Sequence, residues 1–92
     1  MQDEELLSRL EELADQLQIP VRYANLATEE LAGHGGLCIF RGERRIIIER
    51  TLGCREKVRL LAEGLGQFDV EEIYLLPAVR QAIEASKVER HA

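Results

Sequence analysis

The sequence contains few aromatic residues and few cysteines. It has no tryptophan, two tyrosines and two phenylalanines, whereas leucine, isoleucine, valine and alanine are abundant, so the predicted core is aliphatic. The two cysteines, Cys38 and Cys54, are too few for a disulfide scaffold and lack the C-x-x-C spacing of zinc and thioredoxin-type sites. We therefore expect free thiols in a single small domain spanning residues 1–92.

Long apolar runs are also missing. No stretch approaches the about 18 apolar residues that a membrane-spanning helix needs. The amino-terminal stretch MQDEELLSRLEELADQL is acidic and helical in its periodicity, whereas a secretory signal is basic and then apolar. We expect no membrane association and a cytoplasmic location.

The chain lacks an excess of positive charge, since its formal net charge is −5. General nucleic-acid binding draws its affinity from clustered Lys and Arg that release counterions, so this balance argues against it. The charge is uneven: residues 1–30 carry eight acids and two bases, and residues 41–59 carry seven bases and three acids. A weak nucleic-acid site in this basic region is kept as an alternative, although the interleaved aromatic residues of single-strand binders are missing.

Helical periodicity occurs in three parts of the chain. Leucines at three- and four-residue steps predict a first helix, with Asp3 as its cap and Ile19-Pro20 at its end. A second helix is predicted from about Cys54, and a third begins at Pro77, since proline suits the first position of a helix. Residues 88–92 are expected to fray. The predicted buried stripe of the last helix consists of Val79, Ala82, Ile83 and Ser86.

The segments between the first two helices have strand patterns. Residues 21–26 predict a strand, a short turn capped by Thr28 follows, and GLCIF and RIIIE predict a hairpin closed by a Gly42-Glu43 turn. This turn places Leu37 opposite Ile48. The predicted fold class is α+β, with a small antiparallel sheet, made of the strand and the hairpin, packed by an N-terminal, a central and a C-terminal helix.

Both faces of the predicted hairpin are partly apolar, and a small chain has few elements with which to cover them. Helices cover one face, and either the C-terminal helix or a second subunit covers the other. We therefore predict an interface with another protein, including a homodimer. The candidate contacts are Tyr23, Phe40 and Ile47, with Arg44 and Arg45 as a polar rim.

The stretch LAEGLGQF, residues 61–68, has the spacing of a hydrolytic metal motif without its residues. The order of the IPVRY strand, the GLCIF and RIIIE hairpin and the RLLAEGLGQF helix resembles the amino-terminal part of ImmA/IrrE-like zinc metallopeptidase domains, over residues 5–68. In that family the helix reads approximately L-A-H-E-L-G-H. The resemblance implies that Glu63 replaces the first histidine ligand, Gly64 the catalytic glutamate and Gln67 the second histidine.

These three replacements remove the chemistry of the motif. A hydrolytic zinc site uses two imidazoles and a further ligand, with a carboxylate that takes a proton from the bound water. Glu63 and Gln67 offer only oxygen donors, and Gly64 offers no base. We predict no catalytic residue, no metal and no cofactor. A degenerate metallopeptidase and an ordinary packing helix both remain open at this point, and both are noncatalytic.

Cys54 provides the leading enzyme alternative. It lies at the predicted start of a helix, where unpaired backbone amides and Arg55 favour a thiolate. A thiol-reactive or redox-responsive protein centred on Cys54 is therefore the second hypothesis, although no histidine lies near it in sequence to act as a base. The first hypothesis is a noncatalytic protein-interaction module, and the third is a weak nucleic-acid binder.

Overall fold

The first helix positions the chain for the sheet. The computed structural model describes residues 1–26 and 35–91, and only the backbone of Phe40 and of residues 88–91. Helix α1 spans Asp3–Gln16, and the acidic side chains of its first turn stabilise the helix by interacting with the positive end of its dipole. Asp3 lies inside this turn, so the prediction that it caps the helix is wrong; the cap residue is Gln2, which makes no side-chain cap bond. Gln18 has a φ of 60° and ends the helix, and the amide of Ile19 donates to the carbonyl of Ala14 at 2.9 Å.

Three strands form one sheet: β1 (Val21–Ala24), β2 (Gly35–Phe40) and β3 (Glu43–Glu49). The order is β1-β3-β2, so β3 is central and both other strands lie at edges. The predicted α+β class is confirmed. The sheet is mixed rather than wholly antiparallel, because β1 pairs with β3 in parallel while β2 pairs with it antiparallel. The hairpin pairs β2 with one edge of β3 and leaves the other edge for β1. The chain leaves α1 and reaches this edge at Pro20, and β1 then runs parallel to β3.

The hairpin turn lies one residue earlier than the sequence pattern predicts. Arg41 and Gly42 have φ values of 52° and 81°, the conformation of a two-residue type I′ turn. Leu37 therefore pairs with Ile46, and the predicted pairing with Ile48 is wrong. The register differs by two residues, and a shift by two keeps every side chain on its expected face.

Helices α2 (Cys54–Leu65) and α3 (Pro77–His91) complete the fold. The predicted first position of Pro77 is confirmed, and Val79, Ile83 and Ser86 are buried as expected. Helix α2 contacts β2 and β3, and α1 and α3 pack on α2. The main core lies between these helices and one face of the sheet, which we call the helix face; its most deeply buried side chains are Leu10, Ile46, Ile48, Leu61, Leu65 and Ile83.

A smaller apolar cluster lies on the other side of the sheet, which we call the second face. It consists of Ala24, Leu26 and Ile47, with Cys38 packed against them. Helix α3 belongs to the main core, so it is not the cover that the sequence pattern suggested for the second face. The predicted turn at Thr28 lies outside the described residues, and the predicted fraying of residues 88–92 stays a prediction.

Candidate functional site

Gly64, which the predicted resemblance aligns with a catalytic glutamate, packs against the sheet. It is buried, and a Cβ atom on it would lie 2.9 Å from Cδ1 and 3.2 Å from Cγ1 of Ile46. A glycine permits this close approach of α2 to the buried Ile46 side chain, which a larger residue would have to displace. The core packing of this helix therefore accounts for Gly64 without any reference to a former active site.

Glu63 and Gln67 do not form a pair of ligands. The Glu63 carboxylate lies 3.9 Å from the Arg59 guanidinium, its neighbour one turn earlier on α2. Helix α2 ends at Leu65, so Gln67 lies beyond it, in an exposed turn where its amide donates to the carbonyl of Gly64 at 3.3 Å. Within the described ranges, no three His, Cys, Asp or Glu side chains are grouped so that they could hold a metal ion.

Cys54 is the first residue of α2, as predicted, but its surroundings favour the thiol. The side chain is half-buried, and this burial raises the pKa of Cys54 above its ordinary value. The carboxylates of Glu4 and Asp3 in the first turn of α1 raise the pKa further, whereas the Lys57 ammonium lowers it. A reactive cysteine needs the opposite balance, because the thiolate is the nucleophile. The contacts of Cys54 therefore argue against the thiol-dependent alternative.

Tyr23 lies on the helix face of β1, on the opposite side of the sheet from Ile47. Its hydroxyl donates a hydrogen bond to the Glu11 carboxylate of α1, and the Lys57 ammonium of α2 lies 5.3 Å from the centre of its ring. Burial and the Glu11 bond raise the pKa of Tyr23 above its ordinary value. The side chain thus joins three elements inside the molecule, so the structure separates two of the residues predicted to share an interface.

Arg44 and Arg45 also lie on opposite faces, because they are neighbours on β3. The Arg44 guanidinium lies 5.4 Å from the centre of the Phe68 ring, and Arg45 pairs with Glu43 at 3.5 Å. In α2, Arg59 pairs with Glu56 at 2.9 Å. These three arginines therefore lie beside acids or a ring, and the two on β3 do not share a surface. This arrangement gives no geometric support to the nucleic-acid alternative.

The second face offers little apolar surface among the described side chains. Ile47 is only 9% exposed, and Cys38 is half-buried. The side chain of Phe40, the remaining predicted contact, lies outside the described set. Ile47 therefore presents a small contact area to any partner, which weakens the predicted interface at this face.

The outer edge of β2 is a candidate binding site that the sequence reading missed. Its residues, GGLCIF, include no charge and no proline, and Ile39 is 70% exposed. Edge strands are ordinarily protected by shortness, proline or charge. The other edge strand, β1, has such features, since it is four residues long, follows Pro20 and contains Arg22. In the part of the chain that the structure describes, no strand pairs with the outer edge of β2.

The sequence held a signal for this site. The strand ends in four β-forming residues, LCIF, without charge or proline, and such a run is typical of segments that pair with other strands. The signal could be interpreted only once β2 was known to lie at the edge, because the same stretch in a central strand would be ordinary.

Other surfaces are less distinctive. Tyr74 is 82% exposed and borders a cleft of about 270 Å³ between α1 and the segment before α3. Across residues 1–26 and 35–91, no helix combines the length and apolar character that a membrane crossing requires. Comparisons with protein-family models, with curated proteins and with solved structures find no significant match to this chain.

Proposed function

We propose that this protein is a noncatalytic protein-interaction module that binds a partner strand at the outer edge of β2. The observation that carries the proposal is an uncharged edge strand with a largely exposed isoleucine. An open strand edge presents unpaired amide and carbonyl groups, and pairing with another strand satisfies them. The main-chain hydrogen bonds supply affinity in this mode, and alternate side chains supply specificity.

The side chains of β2 suit an apolar partner strand. Leu37 pairs with Ile46 in the main core and is half-buried, and Ile39, two residues later on the same face, is exposed. A strand added beside β2 would place an apolar side chain next to both residues and extend the helix-face core by one strand. Covering Ile39 in this way removes apolar surface from water, which favours binding.

The noncatalytic part of the proposal is supported by α2. Gly64 is fixed by its contact with Ile46, and Glu63 is paired with Arg59. A degenerate metallopeptidase ancestry is compatible with these contacts and stays a prediction. We also propose that the protein works in the cytoplasm, in keeping with two free cysteines, Cys38 and Cys54.

The test is a pair of matched variants, Ile39→Lys and Tyr74→Lys. Each replaces an exposed apolar side chain by the same cation. Tyr74→Lys should change stability by no more than about 0.5 kcal/mol, whereas Ile39→Lys should lose up to about 1 kcal/mol, because the new lysine lies opposite Arg44 in the hairpin. Tagged wild type and variants are purified from native cells under equal conditions, with thermal unfolding followed by circular dichroism to verify folding. We expect the proteins retained by the wild type to be lost with Ile39→Lys and kept with Tyr74→Lys. Retention by Ile39→Lys, or no retained protein in the wild type, would contradict the proposal.

A further inference from the structure

We infer that the strand added to β2 is the β2 strand of a second copy of this chain, paired antiparallel about a two-fold axis at Cys38. This inference rests on the proposed function and names the partner. The resulting dimer has a continuous six-stranded sheet in which the two β2 strands are central. Closed two-fold pairing uses the same surface on both copies, so it leaves no further open edge at β2.

The register follows from the faces of the sheet. Leu37 and Ile39 belong to the helix face and Cys38 to the second face. A two-fold axis perpendicular to the sheet keeps the helix layers of both copies on the same side, so opposed residues must come from the same face. An axis through any residue of β2 meets this condition, and an axis at Cys38 is the one that places Leu37 opposite Ile39 of the second copy. The half-buried leucine then covers the exposed isoleucine, and the reverse contact is identical.

Charge at the β2 edge does not oppose a second copy as the occupant. No residue of β2 is ionisable except Cys38, so antiparallel pairing brings no like charges opposite one another, an arrangement that destabilises strand pairs. The acidic helix α1 lies near the other edge of the sheet, since Glu11 accepts the hydrogen bond of Tyr23 on β1. The acidic surface is therefore held away from the paired edge, and the net charge of −5 opposes the dimer only at long range.

The two glycines at the start of β2 limit the strength of the dimer. Gly35 and Gly36 have φ values of 123° and 145°, so the strand is irregular there, and a Cβ on Gly35 would lie 2.1 Å from the Ile47 carbonyl oxygen. Regular pairing is thus confined to the segment around Leu37, Cys38 and Ile39. Such a contact is smaller than the roughly 800 Å² per partner of a standard interface. We expect a weak, reversible dimer with a dissociation constant between about 10 µM and 1 mM.

Sedimentation velocity of the purified protein measures this equilibrium. The concentration is varied from about 1 µM to about 1 mM, under reducing conditions, for wild type, Ile39→Lys and Tyr74→Lys. We expect the mean mass to rise toward that of a dimer in the wild type and in Tyr74→Lys. In Ile39→Lys the association should weaken by roughly tenfold or more, because each new ammonium group lies in an apolar contact. Equal association in both variants would overturn the inference.

Disulfide trapping tests the register. A two-fold axis at Cys38 brings the two Cα atoms of this residue to about 4.5–5.5 Å, within the range that a disulfide spans. Diamide oxidises the two thiols to a disulfide and is itself reduced to the hydrazine. We expect a covalent dimer with Cys54→Ser and none with Cys38→Ser, in a yield that rises with protein concentration. A covalent dimer that requires Cys54 would overturn the register and the inference.

The outcomes separate this inference from the proposed function. A protein that stays monomeric at about 1 mM and gives no trapped dimer has no self-pairing at β2, and the inference is wrong. If native partners are still lost with Ile39→Lys in that case, the β2 edge binds a different protein and the proposed function stands. If neither self-association nor partner capture depends on Ile39, both are wrong.

Discussion

At the residue scale, a few residues determine how closely the helices and strands pack and which ionisable groups are charged. Gly64 allows α2 to contact β3, and Glu49 joins the ends of two strands. Cys54 lies among carboxylates that favour its neutral form. From the contacts of each residue we predict how its substitution or titration changes stability or reactivity.

Replacing Gly64 by alanine should destabilise the protein. Alanine gains about 1 kcal/mol in helix propensity, but a clash at 2.9 Å with Cδ1 of Ile46 costs typically 1–3 kcal/mol, so we expect a net loss of about 1 kcal/mol. Chemical denaturation measures the loss. Ile46→Val removes the clashing atom, so Gly64→Ala should be less costly in that background. An equal penalty in both backgrounds would show that the contact is not the cause.

Glu49 should make stability depend on pH in the acid range. Its carboxylate accepts hydrogen bonds from the hydroxyl and amide of Thr51, at 2.6 and 2.8 Å, and from the amide of Leu26, at 2.9 Å. These bonds lower the pKa of Glu49 from 4.5 to about 2. A lowered pKa gives stability that is present above pH 4.5 and is lost as the pH falls toward about 2.

The control for this dependence is Glu49→Gln, which keeps the shape of the side chain and removes its titration. Denaturant unfolding at a series of pH values from 7 to about 2 is compared for the two proteins. We expect the difference between wild type and variant to shrink as the pH falls through the window. Parallel curves would contradict the role of the Glu49 carboxylate.

Cys54 should react slowly with thiol reagents. Because burial and the acids of α1 raise its pKa, the thiolate fraction near neutral pH is smaller than that of an ordinary thiol. In Cys38→Ser, where Cys54 is the remaining thiol, we expect slower reaction with a disulfide reagent at pH 7.5 than free glutathione shows. Faster reaction than glutathione would reopen the thiol-dependent alternative.

At the element scale, Tyr23 holds α1, β1 and α2 together through one hydroxyl and one ring. Tyr23→Phe keeps the ring above Lys57 and removes the hydrogen bond to Glu11. A hydrogen bond to a charged group contributes about 1.5–3 kcal/mol, and the partial exposure of Tyr23 reduces this, so we expect a loss of about 1 kcal/mol. A double-mutant cycle with Glu11→Gln should give a coupling energy of similar size. Additive losses would show that the two side chains act independently.

The helices could be predicted from local sequence patterns, whereas the hairpin register and the direction of β1 could not. Leucine spacing and Pro77 were sufficient for the helices, because burial along a helix repeats in the sequence. The hairpin register was not accessible in this way, since turns at Arg41-Gly42 and at Gly42-Glu43 give the same alternation of faces. The parallel direction of β1 was also inaccessible, because it depends on which edge of β3 the hairpin leaves free.

The candidate site was even less predictable. Grouping Tyr23 with Ile47 assumed a shared face, and only the strand pairing shows that the sheet separates them. Arg44 and Arg45 are adjacent in the sequence but lie on opposite faces of the sheet, because neighbouring side chains on a strand alternate between faces. Gly64 could be interpreted as a lost base from the sequence, and its contact with Ile46 became evident only in three dimensions.

At the scale of the whole molecule, the two edges of the sheet differ in character. The β1 edge is short and carries Arg22, with the acidic helix α1 close by, whereas the β2 edge is uncharged and exposes Ile39. This asymmetry directs binding to one side of the molecule. Within residues 1–26 and 35–91 the sheet has a covered helix face and an uncharged β2 edge without a paired strand, which is the arrangement expected of a module that extends its sheet with another strand.

The backbone amide spectrum of isotope-labelled protein, recorded by NMR at about 10 µM and about 1 mM, tests the pairing of two copies at the β2 edge most directly. Chemical-shift changes should be largest at Leu37, Cys38 and Ile39, should persist in Tyr74→Lys and should shrink in Ile39→Lys. Changes centred on Tyr74 or on α1, no change in the wild type, or changes at β2 of equal size in Ile39→Lys, would contradict it.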